Sequence, residues 1–221
     1  MRAGALSTGD ALHKIYDALL GHYGSQHWWP GETPFEVMVG AVLTQNTSWV
    51  NVERAIQNLK QAEILSPQAI NQCPQEGLAH LLRPSGYFNV KAKRLKNLCE
   101  WILELGLEES RGIATGALRS ALLSVNGVGP ETADDILLYA YDRPIFVIDA
   151  YTRRIFSRIG LVSGNESYEA LRTLFEEALS ASAAIYNEYH ALIVHHAKYV
   201  CQVKPRCDQC IIKLHCQFDN K

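Results

Sequence analysis

An all-α fold follows from three observations on this chain. Apolar residues recur at helical spacing, helix-start signals punctuate them, and only one short segment has strand character. Ser7 with Asp10 makes a capping-box start, and Leu12, Ile15, Leu19 and Tyr23 keep helical spacing until Gly24 stops it. Thr33, Pro34 and Glu36 open a second helix, whose run Phe35 to Leu43 is apolar nearly all round and therefore predicted buried. Ser66 and Pro67 open another. Asn89 is predicted to cap a long helix with Leu95, Leu98, Ile102 and Leu103 inward, and Ser167 one through Leu171, Leu174 and Leu179. The strand-like stretch is Pro144 to Ile148, too short and lonely for a sheet. No internal repeat, low-complexity tract or linker interrupts the pattern.

With 221 residues, 48% of them hydrophobic and 20% charged, the chain can bury a sizeable core in one large domain or two small ones, and its mixed composition argues against wholesale disorder. No run of eighteen apolar residues exists, which excludes a spanning helix. Met1 to Gly9 lacks the apolar stretch of a signal peptide, so a soluble, cytoplasmic protein is expected. The net charge is −2, yet the charges segregate. Arg83, Lys91, Lys93, Arg94 and Lys96 fall in a stretch without acids, Arg153, Arg154 and Arg158 follow, and Lys198, Lys204, Arg206 and Lys213 lie near the C-terminus. Segregation of this kind makes a local positive face that phosphates feel, or merely solvated helix faces.

The most informative segment is Leu122-Leu123-Ser124-Val125-Asn126-Gly127-Val128-Gly129-Pro130-Glu131-Thr132-Ala133. An apolar helical turn runs into Gly-Val-Gly, and a second helix starts at Pro130 and continues to Tyr141. The glycines permit a sharp turn that presents backbone N–H groups at a helix N-terminus, a small site for a phosphate read without regard to base sequence. An ordinary helix corner has the same local signature. Downstream, Ile145 to Ile148 leads into Asp149, at the N-cap of a helix containing Arg153 and Arg154. Carboxylates are common at N-caps for structural reasons alone; this one is apolar-flanked before and basic-flanked after.

Six cysteines divide unevenly. Cys73 and Cys99 lie in helical segments as small buried hydrophobes. Cys201, Cys207, Cys210 and Cys216 cluster near the C-terminus, and thiols so close in an intracellular setting point to metal rather than disulfides. Spacing alone does not choose between tetrahedral zinc and an iron–sulfur cluster.

Taken together these segments resemble the helix-hairpin-helix DNA glycosylases of the endonuclease III superfamily. Val125 to Gly129 is similar to that family's hairpin, with Val125 at its leucine position, and Ile148-Asp149 with Arg154 to its Val-Asp-x-x-x-x-Arg run, whose aspartate is catalytic. Leu43-Thr44-Gln45-Asn46-Thr47 resembles the helix end whose glutamine fills the hole left by a flipped base. Gly86-Tyr87-Phe88-Asn89-Val90-Lys91-Ala92 resembles the loop that wedges into the duplex, with Tyr87 at the wedge. The stretch Tyr199 to Cys207 resembles the start of the family's iron–sulfur loop, although the first cysteine gap holds five residues instead of six.

Bifunctional members carry a lysine where this chain has Glu131. A carboxylate cannot form an imine, so that route to strand cleavage is closed at this position. The third-type 3-methyladenine DNA glycosylases are the subgroup most similar, with Glu131, the Gly129 to Asp134 run, Asn46-Thr47, and the pocket segments Trp28-Trp29-Pro30 and Trp49. Indole faces attract cationic alkylated purines. Some relatives in that subgroup lack the cluster cysteines.

The resemblance implies a two-domain fold: residues 26–143 as a helical barrel domain with the hairpin, and 1–25 plus 144–221 as a second domain with the cluster loop. It implies a [4Fe–4S] cluster on Cys201, Cys207, Cys210 and Cys216, and a monomer acting on double-stranded DNA that contains a damaged base. The DNA would lie across the groove, with the base flipped toward Asp149. Asp149 and Glu131 become the catalytic positions, and Gln45, Tyr87, Asn89, Gly127, Val128 and Gly129 the DNA contacts. The implied activity is hydrolytic removal of damaged, alkylated-purine bases without lyase action. The alternatives are a glycosylase for mispaired adenine, oxidised pyrimidine or uracil, and a non-catalytic DNA-binding protein.

Overall fold

Side-chain caps start the helices where hydroxyls precede apolar periodicity. The Ser7 hydroxyl accepts the Asp10 N–H and opens α1 (Thr8–Tyr23), which Gly24 ends at φ 69°. Thr33 accepts from Glu36 ahead of α2 (Pro34–Leu43), Ser66 from Ala69 ahead of α4 (Pro67–Gln72), and Ser167 from Ala170 ahead of α11 (Tyr168–Ala178). Each bond satisfies one N–H that the first helical turn leaves unpaired. Between and beyond these lie α3 (Trp49–Gln61), α5 (Gln75–Leu81), α6 (Phe88–Leu105), α7 (Leu107–Ser110), α8 (Thr115–Ser124), α9 (Pro130–Asp135), α10 (Ala150–Ile159) and α12 (Ala183–Tyr199). This computed structural model describes residues 7–218, and those residues contain no strand. The first six residues of the Met1–Gly9 stretch and the last three of the expected second domain lie outside them. No helix among the described residues is long and apolar enough to cross a membrane.

The chain divides into two compact units. One runs from Trp29 to Arg143 and is built around α2, whose residues Phe35 to Leu43 are all buried, including Glu36. Around α2 pack α3, α6, α9 and the π-helical turn Ile136–Ala140, which continues α9 toward Tyr141. The other unit combines the described residues up to Trp28 with those from Pro144 onward. Its core joins Leu12, Ile15 and Leu19 of α1 to Phe146, Phe156, Phe175 and Tyr189. Phe146 stacks on Phe175 at 4.5 Å, and the buried Tyr189 hydroxyl donates to the Leu12 carbonyl at 2.8 Å.

Three local expectations are corrected. The N-cap of α6 is Tyr87, held in the left-handed region at φ 45° and ψ 32°, and Asn89 lies inside the first turn without capping. Leu103 is exposed because the buried stripe of α6 runs through Lys91, Ala92, Leu95, Leu98, Cys99 and Ile102. Cys73 ends α4 half-buried, whereas Cys99 is fully buried and burial pushes its thiol up to about 12. Pro144 to Ile148, as its shortness and isolation predict, forms no ladder: the Phe146 N–H donates to Glu176 and that of Ile148 to the Tyr168 hydroxyl, so side chains serve as its partners.

Candidate functional site

The buried run Ile145 to Ile148 delivers Asp149 to the start of α10. One carboxylate oxygen accepts the Thr152 N–H at 2.7 Å, and the other stands 3.5 Å from Nε2 of His190 on α12. Side-chain exposure is 12% for Asp149 and 6% for His190, so the pair is largely out of water. Burial alone would raise the aspartate's pKa, but His190 and the Thr152 N–H outweigh it and hold the carboxyl below its usual value. The result is an ionised, oriented, poorly hydrated carboxylate. The sequence offers one signal for His190, an imidazole placed among apolar residues in the middle of a helix.

In the other unit, α8 ends at Val125 and the chain turns through Gly127 at φ 103°. A Cβ on Gly127 would lie 2.2 Å from Cγ of Arg94, so both backbone conformation and packing demand glycine. Gly129 is the extended N-cap of α9 and faces open space, where a bulky anion can approach the backbone. Val128 is buried between them. Arg119 of α8 grips Asp134 of α9 through two bonds of 2.6 and 3.1 Å, which clamps the two helices of the hairpin together. Glu131 is exposed in the first turn of α9, a position the helix dipole favours for an acid.

Of the expected DNA-contact residues, Gln45 lies in the loop after α2, Tyr87 at the N-cap of α6 and Asn89 in the first turn of α6. Tyr87 is 74% exposed, and Asn89 is exposed beside it. Gln45 turns inward: its amide N–H groups donate to Gly127 O and Thr132 Oγ1 at 3.0 and 2.9 Å, and its oxygen accepts from Arg94 at 2.5 Å. Here it ties the α2–α3 loop to the hairpin.

Of the four pocket residues expected, Trp29, Pro30 and Trp49 line one cavity of about 470 Å³. Trp29 meets Trp49 edge-on at 5.1 Å and lies 4.9 Å from Tyr139. It rests on Gly40, where a Cβ would sit 3.3 Å from its Nε1. Glu32, Glu36, Glu53 and Lys60 share the cavity wall; Lys60 bridges Glu32 and Glu36 at 3.0 Å each, and Glu53 accepts the Trp49 indole N–H at 2.8 Å. Three carboxylates against one ammonium leave the wall negative. Trp28 belongs to the other unit, with the Lys198 ammonium 5.8 Å from its ring centroid.

Cys201, Cys207, Cys210 and Cys216 line a single small cavity with Arg158 and Phe218, and no disulfide joins them. Among the described residues no group of three or more His, Cys, Asp or Glu is placed to close on one metal ion. Arg158 donates to the Cys201 thiol at 3.2 Å and to the carbonyls of Gln202 and Val203, and its guanidinium covers Phe218. Arg154 donates to the Ala197 and Cys201 carbonyls at the end of α12, and Arg153 to that of Glu166. This corrects the expectation of an outward arginine face: carbonyls left unpaired at helix and loop ends draw the guanidinium forks inward. Lys204, Arg206 and Lys213 of the loop do stay exposed. His196 is fully buried between the Tyr23 hydroxyl at 2.8 Å and the Cys210 thiol at 3.4 Å.

Helices α8 and α9, joined through the Gly127 turn, form a helix–hairpin–helix within an all-helical fold, and comparison with known proteins identifies the family. Residues 39–181 match the profile of the HhH-GPD superfamily of base excision DNA repair proteins, and the chain belongs to that superfamily, a family of DNA glycosylases. It is 51% identical to a provisionally named DNA repair glycosylase of Methanocaldococcus jannaschii, over 94% of this chain and 96% of that one. It is 30% identical to endonuclease III of Sulfolobus acidocaldarius, over 83% and 82% of the two chains. Among solved structures, the Helicobacter pylori 3-methyladenine DNA glycosylase bound to 1,N6-ethenoadenine superposes with a TM-score of 0.76 at 31% identity, covering 87% of this chain and 98% of that one. An endonuclease III–DNA complex superposes at 0.83 over 96% of each chain, with 19% identity, a likeness of fold.

Proposed function

We propose that this chain is a monofunctional DNA N-glycosylase that hydrolyses the glycosidic bond of cationic, alkylated purines in duplex DNA. The observation that carries the substrate class is the cavity of Trp29, Pro30 and Trp49 with its negative wall. Indole faces and carboxylates both favour a positively charged base over neutral adenine, with cation–π contact giving roughly 0.5–2 kcal/mol. The similarity to a 3-methyladenine glycosylase at 31% identity supports the same reading.

The chemistry assigned to Asp149 follows from its charge and desolvation. As the C1′–N bond breaks, its electrons leave with the base and the sugar becomes cationic. A fixed carboxylate stabilises that cation and accepts a proton from the attacking water. Glu131 replaces the amine that strand cleavage through an imine requires. Gly127, Val128 and Gly129 are assigned to a phosphate, and Tyr87, Asn89 and Gln45 to the opened duplex.

The test is a panel of lesion duplexes assayed for base release and strand nicking, with borohydride trapping in parallel. Methylated DNA should release 3-methyladenine fastest, strands should stay intact, and no covalent adduct should form. Trp29→Ala should cut release by about ten-fold. Faster excision of uracil, mismatched adenine or an oxidised pyrimidine would overturn the substrate class, and efficient trapping would overturn monofunctionality. The second reading, a glycosylase for another lesion such as mispaired adenine, an oxidised pyrimidine or uracil, rests on the similarity to proteins named endonuclease III.

We further propose that the four C-terminal cysteines hold a [4Fe–4S] cluster. A cuboidal cluster takes one thiolate per iron, so its ligands surround a cavity, and Cys201, Cys207, Cys210 and Cys216 share one. When bound, the cluster supplies structural closure of the loop and the capacity for one-electron transfer. Arg158 and His196 orient the thiols, and the exposed Lys204, Arg206 and Lys213 are thereby placed on the surface. Protein purified without oxygen should be yellow-brown and carry about four irons per chain. A colourless, active preparation with one zinc per chain would reject the cluster.

A further inference from the structure

Lys91 is 1% exposed, on the inner face of α6, in a protein whose other basic residues mostly reach water. A buried ammonium is costly unless its protons are all used well. Here Nζ donates to Leu43 O at 2.9 Å and Ser85 O at 2.7 Å. Leu43 is the last residue of α2, and Ser85 the last of the 3₁₀ turn Arg83–Ser85. Both carbonyls therefore belong to chain ends that lack a partner within their own helix, where the helix dipole also favours a cation. Gln45 follows two residues after the first carbonyl and Tyr87 two residues after the second. Each loop then enters left-handed backbone at once, with Asn46 at φ 54°, Gly86 at 65° and Tyr87 at 45°.

We infer that Lys91 is a positioning residue that fixes the Gln45 loop and the Tyr87 loop against each other by donating from one buried ammonium to the carbonyl at the base of each. Arg94 extends the device one turn along α6. It donates to the Gln45 amide oxygen, and its stem packs under Gly127. Thus one face of α6 sets the relative placement of three loops. An apolar side chain of similar length would fill the same volume but leave both carbonyls orphaned and the loops free to separate. Their left-handed residues, unfavourable for side chains other than glycine, persist only while the surroundings hold them.

The inference rests on the assignment of Gln45 and Tyr87 to the opened duplex, and its test separates the two. Lys91→Met should accelerate amide exchange by about ten-fold or more in both loops of the free protein, with less change in the rest of α6. In lesion-release assays its rate on duplex relative to single-stranded substrate should fall by about ten-fold, because small misplacements near a reacting group are costly. Lys91→Gln, which keeps two N–H donors on a stem one atom shorter, should recover part of both effects. If Lys91→Met does not fold, the comparison of Lys91→Gln with the wild type decides. Unchanged exchange in both loops, or equal loss on duplex and single strand, overturns the clasp. If the wild-type protein releases no base from any lesion, the glycosylase reading falls, and loop exchange alone still decides the role of Lys91.

Discussion

Asp149→Asn should bind lesion-containing duplex as the wild type does and release its base at least about a hundred-fold more slowly. The substitution suits the site because asparagine is as good an N-cap as aspartate. Its carbonyl oxygen can keep the Thr152 N–H, now at 2.7 Å, so α10 should start at the same residue. What is lost is the negative charge, and with it the attraction between the carboxylate and a cationic sugar. Asp149→Ala removes cap and charge together, and should also lose about 1 kcal/mol of stability. Because the carboxyl is held below its usual value, this group should stay ionised through neutral pH and introduce no falling limb there. Single-turnover release on a saturated duplex, with binding measured separately, distinguishes the effects. Near-normal turnover in Asp149→Asn would place the chemistry on another group. His190→Gln should lose less, since the Thr152 N–H continues to orient the carboxylate.

That experiment targets a residue legible in the sequence, and the reason is local. A capping carboxylate, a glycine forced into the left-handed region at Gly127 and hydroxyls ahead of apolar periodicity each act within a few residues. Ser7, Thr33, Ser66 and Ser167 all cap as their spacing predicts. Partners brought from elsewhere in the chain were not legible. Lys91, Arg154 and Arg158 read as surface charge, because composition does not tell whether a long cation reaches water or a carbonyl. Their acceptors, Leu43, Ser85, Ala197 and Cys201, become available only when helix ends meet them. His190 was missed for the same reason: its carboxylate partner lies forty-one positions away in sequence. Local preference points to Asn89 as the cap of α6, but Tyr87 occupies it, since a tyrosine in the left-handed region violates that preference and is held there by its surroundings. The inward turn of Gln45 likewise depends on Arg94 and on the hairpin, both distant in the chain.

Arg119→Ala should destabilise the protein by about 3–5 kcal/mol, the cost of leaving a buried carboxylate without its cation. The Asp134 side chain is 0% exposed and that of Arg119 13%, and the fork geometry is bidentate at 2.6 and 3.1 Å. The pair joins α8 to α9 on either side of the Gly127 turn, so its loss loosens the frame that holds the hairpin. Lysine cannot supply two parallel N–H donors, and Arg119→Lys should fall between the wild type and the alanine variant. Removing both charges is the more informative step. Arg119→Met combined with Asp134→Leu should recover much of the loss, because the greatest cost lies in a buried carboxylate deprived of its guanidinium rather than in the missing attraction. Thermal denaturation should register the single substitution as a fall on the order of ten degrees. With two compact units in the chain, the transition should be followed by two probes before a single free energy is assigned. A loss under about 1 kcal/mol for Arg119→Ala would mean that the remaining contacts of Asp134 hold its carboxylate without the guanidinium.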